Sequence, residues 1–498
     1  MAVILGIDLG TQSLKAMLLD TASGVLNVQS EAYEICIPRA GWAEETPETW
    51  WAALKCVLSK MRLAKPVAFD AIKSIGFSGQ MHGLVPVDRE NRPVCPAIIW
   101  VDQRAKRQVA EIESAYAHQE LAELMHNHVF TGFGFPSLLW LKEERPDLYE
   151  KVYKICAPKD YLRLKLVGGD IETDVSDASS MTGFDFTKRT WSSQVLEKFD
   201  LPSKLFPVCH EATDLVGAIS PAAARETGLP VGAQVVCGSG DIAALSLGCG
   251  MYREGVGIIN IGTGATYSCY SQTDVYDSKL RLQEFCNAIN KSYILCGATL
   301  SGGLSLSWLK DKVLGIESYD EINRLAAAVP AGNEGLIFLP YLGGERAPHM
   351  DYNATGVFFG MQHVHGKKHF CRAVMEGVVY AMKDCDVLMA DNGIYCDTII
   401  ASGGGAKSSL WLQIQADVLE KEILVTAVNE EACLGACLIA GIGSGIFRSP
   451  EDACAANLVR FQDRRYEPNV HNSEIYRQRY EIYRSLYPLL KDQMKNNI

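Results

Sequence analysis

The chain has 498 residues, a net charge of −12 and a pI near 5.4, with 48% hydrophobic and 21% charged residues. That length exceeds what one hydrophobic core organises, so at least two domains are expected in a protein of ordinary globular composition. Its acidic surface repels phosphate backbones and argues against nucleic acid as a partner; a phosphate-bearing small molecule would need backbone N–H groups, helix ends and a metal.

The opening run MAVILGIDLG carries Asp8 and lacks a basic leader, so it does not read as a signal peptide. The stretch LGIDLGTQSLKAMLLD joins an apolar run, a Gly-Thr turn and a second apolar run, the pattern of a β-hairpin with a polar tip. Asp8 ends the first strand, and Thr11 and Ser13 place hydroxyls beside Gly10. Such a tip suits phosphate oxygens, and the carboxylate suits Mg²⁺ held through water. An ordinary turn with a capping Asp fits the same residues. Thr46-Pro47-Glu48 predicts an N-cap, a proline at N1 and an acid in the first turn of a helix running through Trp50, Trp51 and Leu54. In GFSGQMHGLVPVD, Gln80 and His82 stand between Gly79 and Gly83 after an expected strand. Small residues around an amide and an imidazole suit a pocket for sugar hydroxyls, although a structural histidine is the commoner case. In GSGDIAALSLG, Asp241 follows Gly238 and Gly240 and opens a small-residue helix. Glycines clear space around that carboxylate, which could take the proton of an attacking hydroxyl or simply cap the helix.

Some 250 residues after the first hairpin the chain reads GIINIGTGATYSCYS, aligning Asn260 with Asp8, Gly262 with Gly10 and Thr263 with Thr11. The echo predicts a duplicated α/β domain, with two tips able to clamp a polyphosphate and a boundary near Gly250: residues 1–249 and 250–498. A helix is expected from Arg372, with Val374, Val378 and Met382 on one stripe and Asn392-Gly393 at its end. The segment TIIASGGGAKSSLWLQIQADVLE reads as strand, glycine turn and amphipathic helix, an arrangement that holds phosphate at a helix N-terminus. Sixteen cysteines show no C-x-x-C pair, which disfavours a metal-thiolate site, and Cys433 and Cys437 read as buried small apolar residues. The uncharged stretch Ala432 to Phe447 is too short to cross a bilayer, and a reducing cytoplasm fits these features.

In chain order, GIDLGTQSLKAML, GWAEETPETWW, SGQMHGLV, the W-x-D-x-R segment from Trp100 to Arg104, PKDYL, DVSDAS, GSGD, IGTGA, LPYLGGERAPH, GVFFG and GGGAKSSLW resemble the FGGY carbohydrate kinases over nearly the whole length. SGQMHG is the form found in the xylulokinases of that family. The resemblance implies two ribonuclease-H-like domains of the actin/hexokinase superfamily with an ATP- and sugar-binding cleft between them. It implies ATP-dependent phosphorylation of a small ketose, D-xylulose to D-xylulose 5-phosphate, in the cytoplasm, without nucleic-acid or membrane partners; a homodimer is left open. By the same resemblance Asp8 would organise Mg²⁺, and Thr11, Gln12 and Ser13 would meet phosphate. Gln80, Met81 and His82 would face the ketose, Trp100, Asp102 and Arg104 would shape the sugar side, and Asp241 would be the base. Gly262, Thr263, Gly264 and Gly403, Gly404, Gly405, Ala406 would bind ATP. Two positions depart from the pattern: Ile242 stands where Asn or Gln is usual, and Ser137 where a Lys is common. Ile242 leaves another ketopentose or polyol (ribulose, L-xylulose, glycerol) as the rival substrate. A non-catalytic binding protein and a sugar-independent actin-like ATPase are the rivals from other classes.

Overall fold

The computed structural model describes residues 2–428, 430–455, 461 and 465–496. Two sheets of matching topology dominate it. In the first, the strands run Leu215–Ala218, Gln234–Val236, Ile72–Gly79, Val3–Leu9, Ser13–Asp20 and Gly24–Ala32, with the short Ser239–Gly240 also paired to Ile72–Gly79. In the second they run Gln283–Cys286, Tyr293–Thr299, Ala265–Ser271, Gly255–Ile261, Cys396–Gly403 and Glu422–Val425. Each sheet has three adjacent antiparallel strands followed by a parallel strand, Val3–Leu9 beside Ile72–Gly79 in one and Gly255–Ile261 beside Cys396–Gly403 in the other; in the second the edge strand Gln283–Cys286 intervenes in sequence before Tyr293–Thr299. The expected hairpins are the first two strands of each antiparallel set, and the duplication is thus visible in the sheet order as well as in the sequence. Their central strands are apolar along nearly their full length because both faces are covered.

Between the sheets lie two helices, Asp241–Gly248 and Glu431–Gly443. Ala243, Ala244, Leu247, Cys433 and Cys437 join Ile4, Met17 and Leu19 of the first sheet to Val256, Ile258 and Ile400 of the second in one apolar cluster. The helices approach so closely that a Cβ on Gly435 would lie 1.8 Å from the carbonyl oxygen of Ala244. Small residues are therefore a packing requirement here, and both cysteines are buried as expected. Between Gly79 and Leu215 the chain partly packs on the first sheet, through Val85, Cys156, Leu162 and Leu166, and partly forms a lobe with its own core around Ile112, Leu138 and Val195; this segment also docks on the edge strand of the second sheet. There Asn127 Nδ2 donates to the Glu284 carbonyl (2.8 Å), the Glu284 N–H donates to Asn127 Oδ1 (2.6 Å), and the Cys286 N–H donates to Ser179 Oγ (3.0 Å).

The helix predicted at Thr46 runs Pro47–Ala64 with both tryptophans buried, but the Thr46 side chain makes no capping bond. The helix predicted from Arg372 begins five residues earlier, spanning Lys367–Asp391, because His369 Nδ1 accepts from the Gly366 N–H (2.9 Å) and starts it. No helix among the described residues is long and apolar enough to cross a membrane.

Candidate active site

Strand register assembles the site. Asp8 pairs with Ser78 and Leu9 with Gly79, while Ser239 and Gly240 pair with the same two residues from the other side. Three carboxyl ends are therefore level, and Gly10, Gln80 and Asp241 leave the sheet side by side, where open α/β sheets bind ligands. In the second sheet Ile261 pairs with Gly403, so Gly262 and Gly404 also emerge together. Asn260 faces Ser402 as Asp8 faces Ser78.

At the first tip the Gly10 N–H donates to the Ser13 carbonyl (3.0 Å), and the Gln12 carbonyl accepts from the Tyr33 N–H (3.0 Å). Trp100 Nε1 donates to Thr11 Oγ1 (3.0 Å), which brings that indole onto the phosphate tip rather than to the sugar side alone. Lys15, beyond the tip, is paired with Glu430 at 2.6 Å.

Asp8 Oδ1 accepts from Ser78 Oγ at 2.7 Å. Burial holds the Asp8 carboxyl above its ordinary range against the pull of Ser78 and Lys15. Asp241 is the first residue of its helix, and burial together with the charge of Asp8 pushes its carboxyl up to about 7. The charge of Asp8 reaching Asp241 places the two carboxyls in a single site, and a carboxyl poised near neutrality suits proton abstraction. The cation nearest in effect, Lys15, is committed to Glu430, so this pair fits a divalent ion by charge and donor type.

His82 sits in the left-handed region at φ 73° and its Nδ1 donates to the Ser180 carbonyl (2.7 Å). Its ring stacks flat on Phe133 at 4.1 Å. Burial, reinforced by the charge of Arg346, lowers the imidazole to about 4, so it is neutral at physiological pH and Nε2 is an acceptor. Met81, Phe285, Cys296 and Ile242 form a small apolar cluster beside it. A Cβ on Gly240 would come within 2.5 Å of Met81 Cγ, so the glycine before Asp241 is what lets the methionine abut the base.

Other residues expected to face the sugar make bonds to protein partners, although the buried Gln80 Oε1 has none. Gln80 Nε2 donates to Glu45 Oε2 (2.8 Å), which also accepts from Trp50 Nε1 (2.7 Å). Asp102 accepts from the Ala43 N–H (2.6 Å) and from the backbone and Nε of Arg104, and Arg104 also pairs with Glu44 (2.8 Å). With the Arg104 guanidinium 3.7 Å above the Trp42 ring, Asp102 and Arg104 form a buried brace.

Beside the second glycine tip lies a cavity of about 600 Å³ lined by Gly262, Thr263, Gly404 and Gly405, with Leu304, Tyr319 and Trp411 among its walls. That volume suits a nucleoside. Gly403 and Ala406 line an adjoining polar cavity of about 310 Å³ with Thr426 and Glu431. Gly264 lies beneath, its Cα close to the Thr299 carbonyl: a Cβ there would be 2.7 Å from that oxygen.

Sequence reasoning assigned no role to PKDYL and DVSDAS, and the structure gives them one. Lys159 lies 2.7, 2.5 and 2.9 Å from Asp160, Asp174 and Asp177, all fully buried. Burial opposes its charge, yet the three carboxyls hold it well above the ordinary lysine range. Asp174 bonds Ser176 Oγ, which accepts from the Gly240 N–H at 2.8 Å. The cluster thus fixes the backbone that presents Asp241. Glu45, raised to about 7 by burial, was also missed; in the acid-rich run from Glu44 to Glu48 nothing marked it out from its neighbours.

Two glycine-tipped sheets facing a carboxylate pair and a nucleoside-sized cavity define a two-domain phosphotransferase. The FGGY family of carbohydrate kinases matches through its N-terminal domain at residues 3–248 and its C-terminal domain at residues 257–444. The chain belongs to that family and is a carbohydrate kinase, acting on a sugar and ATP. It is 36% identical over 488 residues to a xylulose kinase of Lactococcus lactis, covering 98% of this chain and 97% of that one. A crystal structure of a "xyloylose kinase" from Brucella ovis superposes with a TM-score of 0.92 at 30% identity, covering 99% and 100% of the two chains. The xylulose kinase structure from Rhodospirillum rubrum gives 0.93 at 28% identity, covering 99% of each.

Proposed function

We propose that the chain phosphorylates a small ketose, D-xylulose to D-xylulose 5-phosphate, with Asp241 as general base. The observation that carries the assignment is the Asp241 carboxyl, held at about 7 beside Asp8 at the level ends of three strands. The relatives named as xylulose kinases support the choice of sugar. A division at 1–249 and 250–498 agrees with family domains that meet between residues 248 and 257.

Asp241 takes the proton of the terminal hydroxyl as it attacks the γ-phosphate. Met81 and neutral His82 orient the ketose, and the turns at Thr11–Ser13 and Gly262–Gly264 bring backbone N–H groups to phosphate from opposite sheets. The Gly403–Ala406 turn leads into the cavity suited to adenosine. Asp8 would hold Mg²⁺, which neutralises charge on the phosphates when bound. Positioning and preorganised charge carry the acceleration, since no covalent intermediate is needed.

Ile242 bears on the choice among the alternative substrates. It packs against Met81 and Phe285, so the wall next to the base is apolar. A wall lacking a hydrogen-bonding group changes discrimination among hydroxyl stereoisomers. ADP release measured with D-xylulose, L-xylulose, ribulose and glycerol, with Asp241→Ala as the blank, decides between them. Turnover greatest with D-xylulose is expected. Greater turnover with another sugar replaces the substrate, and rapid ADP release without any sugar overturns the kinase assignment.

A further inference from the structure

Arg346 lies outside every role assigned above. Its loop is rigid: the fully buried Glu345 accepts from the Leu300 N–H (2.9 Å) and the Arg346 N–H (2.8 Å) through Oε1, and the Ala347 N–H donates to the Ala298 carbonyl (3.0 Å). The side chain leaves the C-terminal half and crosses to the N-terminal lobe, where its guanidinium stands 4.7 Å over the ring of Phe130. Phe130 meets Phe133 edge-on at 5.4 Å, and Phe133 carries His82. The charge of Arg346 is felt at His82, His128, Cys296 and the adjacent Glu345, whereas Asp241 is shifted by burial, by Asp8 and by backbone N–H groups.

This cation has no ion-pair partner among the described residues, and its buried Nε makes no hydrogen bond. Among the other arginines around the site, Arg104 is paired with Asp102 and Glu44, and Arg163 with Asp160. An unpaired buried guanidinium donor is costly unless a ligand completes it. Arg346 supplies donors only, and the neutral His82 supplies an acceptor at Nε2. A carbonyl oxygen beside a hydroxyl group matches that set: the carbonyl accepts from the guanidinium, and the hydroxyl donates to the imidazole. The keto end of an open-chain ketose has this pattern; a polyol would offer Arg346 a hydroxyl oxygen in place of the carbonyl.

We propose that Arg346 is a sugar-binding residue, contributed by the C-terminal half, that grips the keto end of the acceptor while its other end meets Asp241. The proposal rests on the ketose-kinase function above, and its test separates the two. Wild-type turnover on the ketose panel is read first: no turnover with any ketose overturns the function itself. With turnover established, Arg346→Ala is expected to raise the KM for the ketose about 10- to 100-fold, the loss of a charge-assisted pair, while the KM for ATP moves less than about threefold. Arg346→Lys keeps the charge without the fork and is expected to fall between. It is also the decisive variant if the truncation does not fold. Calorimetric titration of the ketose without nucleotide should show the same weakening. Equal shifts in the two KM values, or an unmoved ketose KM in both variants, overturn the assignment of Arg346 and leave the kinase function standing.

Discussion

Replacing Asp241 by Asn should destroy catalysis and stabilise the protein, and the second effect can be sized from the structure. Burial and the neighbouring Asp8 raise the Asp241 carboxyl from 3.8 to about 7. That displacement corresponds to about 4 kcal/mol held against the ionised form. Because the folded value lies above the unfolded one, the stability linked to this proton is fully present below about pH 4. It is lost as pH rises through about 7. Asn has no charge to desolvate, so the stability gap between variant and wild type should widen from about pH 5 to about pH 8. Part of the gain is offset, since a carboxylate in the first turn of the helix is worth ~0.3–1 kcal/mol and Asn forfeits it. A net gap of about 3–4 kcal/mol at the higher pH is expected, measured by urea unfolding without Mg²⁺ or nucleotide. In the same samples kcat should drop ~10²–10⁴-fold. The wild-type kcat/KM for the sugar should rise with pH through the region of 7, a limb absent from the variant. A stability gap identical at both pH values would refute the electrostatic account of Asp241. Retention of more than a tenth of kcat would refute its role as base.

Asp8→Ala should lower kcat and make turnover depend on higher Mg²⁺ than the wild type needs. Agreement of the two Mg²⁺ titrations would reduce Asp8 to a turn residue. His82→Ala should raise the ketose KM by at least ~10-fold and the ATP KM little, and the imidazole, lowered to about 4, should show its neutral nitrogen shifts by NMR down to about pH 5. A His82 signal titrating at its ordinary value, or equal KM effects, would remove it from the sugar pocket. Gly435→Ala places a methyl 1.8 Å from the Ala244 carbonyl oxygen between the two sheets, so overpacking should cost ~1–3 kcal/mol or more, read as a lowered midpoint in thermal or urea unfolding. An unchanged midpoint would mean that the two central helices separate easily.

Much of the architecture was legible because it is encoded locally. A glycine tip between two apolar runs specifies a hairpin from neighbouring residues, and it does so twice, at Gly10 and Gly262. The strand, glycine turn and helix from Cys396 to Leu419 were legible for the same reason. The helix beginning at Lys367 was placed late because its start depends on a His369 bond that hydrophobic periodicity does not register. The crossing of Asp241–Gly248 with Glu431–Gly443 joins segments nearly two hundred residues apart, and only the small residues at Ala244 and Gly435 hinted that something comes close.

The site divides along the same line. Asp8, Asp241 and the glycine turns are fixed by strand ends, and strand ends follow from local pattern. Asp102 and Arg104 have the right chemistry for sugar hydroxyls, but that chemistry equally suits a buried brace, whereas Gln80 binds Glu45 through Nε2 and leaves its buried Oε1 without a partner. The deciding partners of the Asp102–Arg104 pair, Ala43 and Glu44, lie elsewhere in the chain. The contrast with Arg346 is instructive. Both arginines stack on aromatic rings, Arg104 on Trp42 and Arg346 on Phe130, and residue type alone does not distinguish them. Arg104 spends its donors on two carboxylates, whereas the nearest acid to Arg346 in sequence, Glu345, turns Oε1 to backbone N–H groups and forms no ion pair with it. A polar side chain is free for a ligand when the protein leaves its hydrogen bonds unmade. That balance is set by tertiary neighbours, so a binding residue is identified by its missing partner rather than by its motif.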